Sequence, residues 1–309
     1  MTANDGASEE ALERSINEWI PADPAAAKMV LSEAKQIMDK LGVVFFLRQG
    51  TCLGAIRDHG FIPWDDDLDL GSVFGLHGFS EKSIAPVVAA FRKNGFFAKV
   101  EYHDQYIYVS MIKSAVRVDW MCYRILDDSI FHYPGVRFPV RLFTNLKEIE
   151  FLEENFNVPN PPEEYLLLKY GEEWVIPKKK GFEKDVLDLI PEAPLPGRAG
   201  RLKQLLIKYV MPWRTCRVCV LNNKGEPVAG ADVVVAGLGR FRTNRQGYAC
   251  IYLPCEDIYA LVIRFDGHEE VLYEEKITPG KTFVYRSDAQ ETSGRYFVLS
   301  LERDFRKSS

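Results

Sequence analysis

Ile62-Pro63-Trp64-Asp65-Asp66-Asp67-Leu68-Asp69-Leu70 packs four carboxylates into nine residues. In an extended chain side chains alternate, so Asp65, Asp67 and Asp69 share one face while Leu68 and Leu70 take the other. The leucines can then enter a core as the acids converge. Carboxylates gathered on one face repel unless a cation sits among them. Hard oxygen ligands select Mg²⁺ or Mn²⁺, and Mg²⁺ commonly bridges one or two carboxylates to substrate phosphates. Two other readings stay open at this point: a solvated acidic turn after Pro63, and the acid-x-acid site of a glycosyltransferase. A calcium loop beginning at Asp65 fails, because Leu70 stands where a glycine is required and Leu76 where a glutamate is required.

Upstream, Val43-Val44-Phe45-Phe46-Leu47 reads as a short buried strand. Gly50-Thr51 turns the chain into a short helix, Thr51 to Asp58, that Gly60 ends. Backbone amides at such a turn can cradle a phosphate, aided by the helix dipole. Downstream, Val116-Arg117-Val118-Asp119-Trp120 sets one acid in an apolar strand. A buried aspartate needs a partner, either an arginine or a shared cation, and Asp119 is a natural third ligand if its strand lies beside Asp67 to Leu70.

Around these segments a mixed pattern emerges. Glu9 to Trp19 carries a weak helical signal, and Asp23, Pro24 and Gly42 mark the start and stop of a strong one. Ser83 to Asn94 predicts a helix closed by Gly95. Phe97 to Tyr102, Gln105 to Ile112 and Arg117 to Tyr123 predict strands, and Pro162 to Tyr170 a helix with irregular chain before it. This order predicts an α+β fold with a mixed sheet rather than a regular doubly wound one.

A strand-glycine turn-helix, an acid-alternating strand and a later single-acid strand resemble, in that order, the nucleotidyltransferase superfold. The wording is closer to one branch. Leu47-Arg48-Gln49-Gly50-Thr51-Cys52-Leu53-Gly54-Ala55-Ile56-Arg57, then His59-Gly60-Phe61-Ile62-Pro63-Trp64-Asp65-Asp66-Asp67-Leu68-Asp69, resembles the LicD family, which includes fukutin-related proteins. Tyr170-Gly171-Glu172-Glu173-Trp174 with Pro177 is similar to that family's closing motif. The resemblance implies transfer of a phosphorylated alcohol, of the phosphocholine or ribitol phosphate type, from a CDP-linked donor to a glycan or glycoconjugate hydroxyl at the cell envelope. It implies Asp67, Asp69 and Asp119 as ligands of Mg²⁺ or Mn²⁺, with Asp65 beside them. Asp119 or Asp65 would accept the proton of the attacking hydroxyl. Gly50 and Thr51 would contact the donor phosphates. Arg57 would bind phosphate or, as the favoured role, pair with the acidic loop. Lys169 and Lys178-Lys179-Lys180 either draw in an anionic substrate or are solvated surface, the plainer reading. Trp174 and Tyr170 either stack on a sugar or base or pack against the core.

A second region begins beyond the proline- and glycine-rich stretch between Pro177 and Gly200. The expected organisation is a catalytic domain over 1–190, a linker with a connecting helix (Arg201 to Val210) over 191–213, and an all-β sandwich over 214–309. Asn222-x-x-Gly225-x-Pro227, Thr243-Asn244-x-x-Gly247-Tyr248 and Tyr259-x-Leu261-x-Ile263 resemble carboxypeptidase regulatory-like sandwiches, which implies an accessory role. Cys216, Cys219, Cys250 and Cys255 admit a zinc reading. Cys216 and Cys219 nevertheless point to opposite faces of a strand, which favours ordinary packing of reduced thiols.

Composition narrows the function. The 309 residues are 47% hydrophobic and 27% charged, ordinary for a globular chain. A net charge of -5 and a pI near 5.7 argue against a nucleic-acid binder. No apolar run suits a transmembrane segment, and the N-terminus lacks a signal-peptide pattern. The expected location is cytoplasmic, with the inner face of the membrane as the alternative. A nucleotidyltransferase that moves the nucleotide itself and a non-catalytic glycan-binding protein are the rival functions.

Overall fold

A computed structural model of the chain describes residues 6–18, 20–132, 136–179, 182–188, 190, 212–253, 256–288 and 298–303. The expected Arg201 to Val210 helix, Lys180 and Cys255 lie outside the described residues. Helices and several sheets coexist, so the fold class is mixed α and β. The chain forms two compact units, Met1–Phe131 with Arg137–Pro177, and His132–Val136 with Lys178–Ser309.

In the first unit, α1 (Glu9–Glu18) precedes α2 (Pro24–Lys40). Asp23 caps α2 by accepting the Ala26 amide at 2.8 Å, and Gly42 takes a left-handed φ of 66° just past its end. Then come β1 (Phe46–Leu47), α3 (Gln49–Leu53) with a π-turn over Gly54–Asp58, β2 (Asp67–Val73) and α4 (Ile84–Lys93). Strands β3 (Phe97–Tyr102), β4 (Tyr106–Lys113) and β5 (Val116–Tyr123) follow. The five strands form one sheet in the order β1-β2-β5-β4-β3, with β2 and β5 parallel and the other neighbours antiparallel. The strand expected over Val43 to Leu47 shrinks to two residues, because only Phe46 and Leu47 pair with Gly71 and Leu70.

One register decides the site. Asp67 pairs with Arg117, Leu68 with Val118, Asp69 with Asp119 and Leu70 with Trp120. Leu68, Leu70, Val118 and Trp120 are all at most 1% exposed, so one face of the sheet is solid core. The other face therefore carries Asp67, Asp69, Arg117 and Asp119 together.

Beyond β5, the stretch expected to be irregular holds an antiparallel pair, Lys147–Phe151 with Glu154–Val158, ahead of the helix Pro162–Tyr170. Its turn, Leu152-Glu153, has φ of 54° and 71° without a glycine, so the usual hairpin signal is missing.

The second unit contains two four-stranded sheets. In the first sheet, Thr215–Leu221 lies between Tyr248–Tyr252 and Thr282–Arg286, with Ser300–Leu301 at the edge. Asp232–Val235 lies between Gly239–Arg242 and Asp257–Phe265, with His268–Ile277 at the edge. Val218, Ile251 and Tyr285 of the first sheet share one apolar cluster with Val233, Leu261 and Leu272 of the second. Both Asn-x-x-Gly turns use one device: Asn222 Oδ1 accepts the Lys224 and Glu226 amides, and Asn244 Oδ1 accepts those of Gln246 and Tyr248. Cys216 packs in the shared cluster and Cys219 in a separate one. Among the described residues neither joins a group spaced for a metal.

Candidate active site

The acids gather through local chain geometry and two buried arginines. Period-two alternation puts Asp65, Asp67 and Asp69 on the shared face and says nothing of a role for Asp66. The strand begins only at Asp67, so the residues before it escape that alternation. As a result Asp65, Asp66 and Asp67 each bring a carboxylate oxygen within 4.8 Å of the other two.

Arg117, 8% exposed, binds three of the acids. Its Nη2 donates to Asp66 Oδ2 at 2.7 Å and lies 2.9 Å from Asp67 Oδ2, and its Nη1 donates to Asp119 Oδ2 at 2.9 Å. Asp119 therefore has the arginine partner that a buried aspartate calls for. Its second oxygen, Oδ1, is buried and no donor meets it in hydrogen-bonding geometry, although the Tyr108 hydroxyl is close enough to oppose the rise of the Asp119 pKa; Arg117 Nε is likewise buried and unbonded.

Asp69 is held differently. Arg48, 3% exposed, places Nη2 2.7 Å from Asp69 Oδ1 and donates from Nε to the Leu70 carbonyl. The Gly50 amide donates to Asp69 Oδ2 at 3.1 Å, and the Asp69 amide donates to Thr51 Oγ1 at 2.8 Å. The Gly50 amide and the Thr51 hydroxyl, expected at the donor phosphates, are thus both engaged by Asp69. A side chain at position 50 would displace the Asp65 carboxylate, because a Cβ there would lie 2.3 Å from Asp65 Oδ2. The neighbouring Gln49, at a strained φ of 40°, donates its amide to the Tyr165 hydroxyl at 3.0 Å.

Asp65, Asp66, Asp67, Asp69 and Asp119 face two guanidiniums, so full ionisation leaves three negative charges uncompensated. The protonation equilibria reflect this. Burial first, then repulsion from Asp67, lifts Asp66 to about 7 against the pull of Arg117. Burial lifts Asp69 to about 8, although Arg48 opposes it. Asp119 rises to about 6 by burial, held back by Arg117. Asp65 is pushed well above the usual carboxylate range by burial and by Asp67. Among the described residues Asp65, Asp66 and Asp67 are spaced to share an ion and fit Mg²⁺ or Mn²⁺ by donor chemistry, whereas the expected ligands Asp69 and Asp119 stand beside that group without joining it.

The remaining expected residues fall elsewhere. Arg57 does not pair with the acidic cluster; it binds the neighbouring Asp58 at 2.7 and 2.8 Å and the Trp174 carbonyl at 3.3 Å. The counter-ions are instead Arg48 and Arg117. Lys169 is 1% exposed, not solvated, with its ammonium 5.8 Å from the centre of the Tyr170 ring. Trp174 is half-buried. Lys178 pairs with Asp185 at 2.5 Å. Sequence reasoning missed Arg117, although the alternation that puts Asp67 beside Asp69 also puts Arg117 beside Asp119.

Residues 42–161 match the family model described as LicD/FKTN/FKRP, nucleotidyltransferase domain. That span holds the five acids, both arginines, Gly50, Thr51 and Arg57, and excludes Lys169 and Trp174. Among curated proteins, the chain is similar to the human Ribitol-5-phosphate transferase FKTN, 31% identical over 166 residues, and to the mouse protein of that name, 31% identical over 165. Each match covers 50% of this chain and 34% of the relative, so the chain spans about a third of the length of these relatives.

Proposed function

We propose that this protein is a LicD-type phosphotransferase: with Mg²⁺ or Mn²⁺ it moves a phospho-alcohol, of the phosphocholine or ribitol phosphate type, from a CDP-linked donor to a glycan or glycoconjugate hydroxyl. The observation that carries the reading is the in-register pairing of Asp69 with Asp119 beside Asp67, inside the span that matches the family model. The activity for which the FKTN relatives are named supports the class of group transferred. In this reading residues 1–190 form a nucleotidyltransferase-type catalytic domain and 191–213 a linker. Residues 214–309 form a carboxypeptidase regulatory-like sandwich serving recognition or stability.

Asp67, Asp69 and Asp119 would hold the ion, with Asp65 and Asp66 converging beside Asp67. A bound divalent ion would neutralise charge on the donor phosphates and on the departing nucleoside monophosphate. The acceptor hydroxyl oxygen attacks the phosphorus that carries the alcohol, the pyrophosphate P–O bond breaks, and CMP leaves. The hydroxyl proton goes to Asp65 or Asp119. Asp65 forms no side-chain hydrogen bond or ion pair among the described residues, and Asp119 has Oδ1 unbonded. Raised carboxyl pKa values make each a stronger base once ionised. Burial of the site limits competing water.

The test is product analysis. Purified protein is incubated with Mg²⁺, CDP-choline or CDP-ribitol and a glycan acceptor. Released CMP with a phosphorylated glycan is expected. Release of pyrophosphate from a nucleoside triphosphate would instead favour nucleotidyl transfer. Glycan binding without turnover of any CDP-, UDP- or GDP-linked compound would overturn the enzymatic reading.

A further inference from the structure

We propose that Arg117 is a positioning residue that preassembles the acidic cluster: it grips one oxygen each of Asp66, Asp67 and Asp119 and leaves the remaining oxygens for a divalent ion. The inference rests on the metal-dependent reading above and adds to it a device for arranging the ligands.

Three observations carry it. First, Arg117 stems from β5 two residues before Asp119 and opposite Asp67, so the sheet register fixes both acids and their clamp on one face. Second, its contacts are divided: Nη1 holds Asp119 Oδ2, while Nη2 holds Asp66 Oδ2 and Asp67 Oδ2, all between 2.7 and 2.9 Å. A planar guanidinium can do this because its donors lie in a fixed fork; an ammonium has no such geometry. Third, the acids are not saturated by the clamp. Asp119 is 5% exposed, yet no donor, the nearby Tyr108 hydroxyl included, meets its Oδ1 in hydrogen-bonding geometry, and a buried carboxylate oxygen so placed is costly.

The contrast with Asp69 strengthens the point. Arg48 and the Gly50 amide engage both of its oxygens, so Asp69 is anchored at each. Arg117 holds Asp119 by one oxygen only, as partners behind a metal site hold a ligand whose other oxygen meets the ion. A simple resident counter-ion, displaced when metal arrives, has no need to leave a buried oxygen unpaired.

Mn²⁺ binding to the full chain, followed by the electron paramagnetic resonance of free Mn²⁺, tests this on the wild type, Arg117→Lys and Arg117→Met. Both variants are expected to bind Mn²⁺ about 10–100-fold more weakly, the range for partners behind metal ligands, with no rescue by lysine. Unchanged or tighter binding by a folded variant would overturn the proposal and make Arg117 a competitor of the ion. If the wild type binds no Mn²⁺, the metal-dependent reading falls and this inference with it. Should both variants fail to fold, wild-type crystals soaked in Mn²⁺ decide. Arg117 still bonded to Asp67 and Asp119, with Mn²⁺ on their other oxygens, supports the clamp; a guanidinium swung out of the cluster overturns it.

Discussion

Asp69 and Asp119 stand opposite each other on neighbouring parallel strands, and each is tied to a different arginine. Asp69 is bound at both oxygens, whereas Asp119 is bound at one and has the other buried and free. Two chemically identical groups in matching positions are therefore held differently: Asp69 also joins the glycine turn to the sheet, and Asp119 keeps one oxygen unbonded.

Replacing Asp67 or Asp119 by Asn keeps the shape and removes the charge. Turnover is expected to fall by at least about 100-fold, since even outer partners of a bound ion are worth 10–100-fold. Circular dichroism should show the fold intact, because Arg117 keeps two of its three acidic partners in either variant. Activity within a few-fold of wild type in a folded Asp67→Asn protein would remove Asp67 from the ligand set.

Arg48→Met should have the opposite signature, with stability as the main loss. The side chain is 3% exposed and compensates Asp69, itself 6% exposed. Above about pH 8, where Asp69 is ionised, removing its partner strands a buried charge and typically costs about 3–5 kcal/mol. The Leu70 carbonyl also loses its donor. Urea denaturation should show the midpoint moving down by a corresponding amount; a shift under about 1 kcal/mol would mean that the pair adds little to folding.

Much of the scaffold was legible because it is local. Asp23, Pro24 and Gly42 bracket α2, and alternation marks β2 and β5 with their leucine and valine faces. Turns were legible only where their chemistry is conventional. Asp266-Gly267 joins two antiparallel strands with φ of 46° and 79°, as its composition predicts. Ser114-Ala115 and Leu152-Glu153 adopt the same left-handed pair without a glycine, so Leu152-Glu153 hid a hairpin. The site was legible as a set of acids but not as a network. Asp66 joins it from the irregular chain just before the strand, which starts at Asp67, and Arg48 reaches Asp69 across 21 positions of sequence. Lys169, which the sequence left between drawing in an anionic substrate and lying on solvated surface, is instead buried.

Gly50→Ala separates two roles for the glycine turn. Residue 50 has no left-handed φ, so backbone strain is not at issue. The added methyl must instead displace the Asp65 carboxylate, 2.3 Å from where it would sit. If the turn serves to admit Asp65, kcat should drop by about 10-fold or more, as misplaced catalytic groups commonly cost, while KM for the CDP-linked donor stays near its wild-type value. A selective rise in donor KM with kcat preserved would return position 50 to phosphate binding.

The response to pH follows from the raised acids. Asp66, Asp69 and Asp119 lie at about 7, 8 and 6 in the folded chain, against an ordinary value of 3.8. Between about pH 4 and pH 8 the native state therefore keeps protons that the unfolded chain has released. Stability of the ion-free protein must fall as pH rises through that window, by up to about 1.4 kcal/mol per unit for each group still protonated. Melting in EDTA should be highest near pH 5 and decline toward pH 8. Mn²⁺ binds the ionised forms, so its stabilising effect should grow over the same interval as protons are released. A melting temperature in EDTA that climbs from pH 5 to pH 8 would show the acids already ionised without metal, with Arg48 and Arg117 sufficient to hold them.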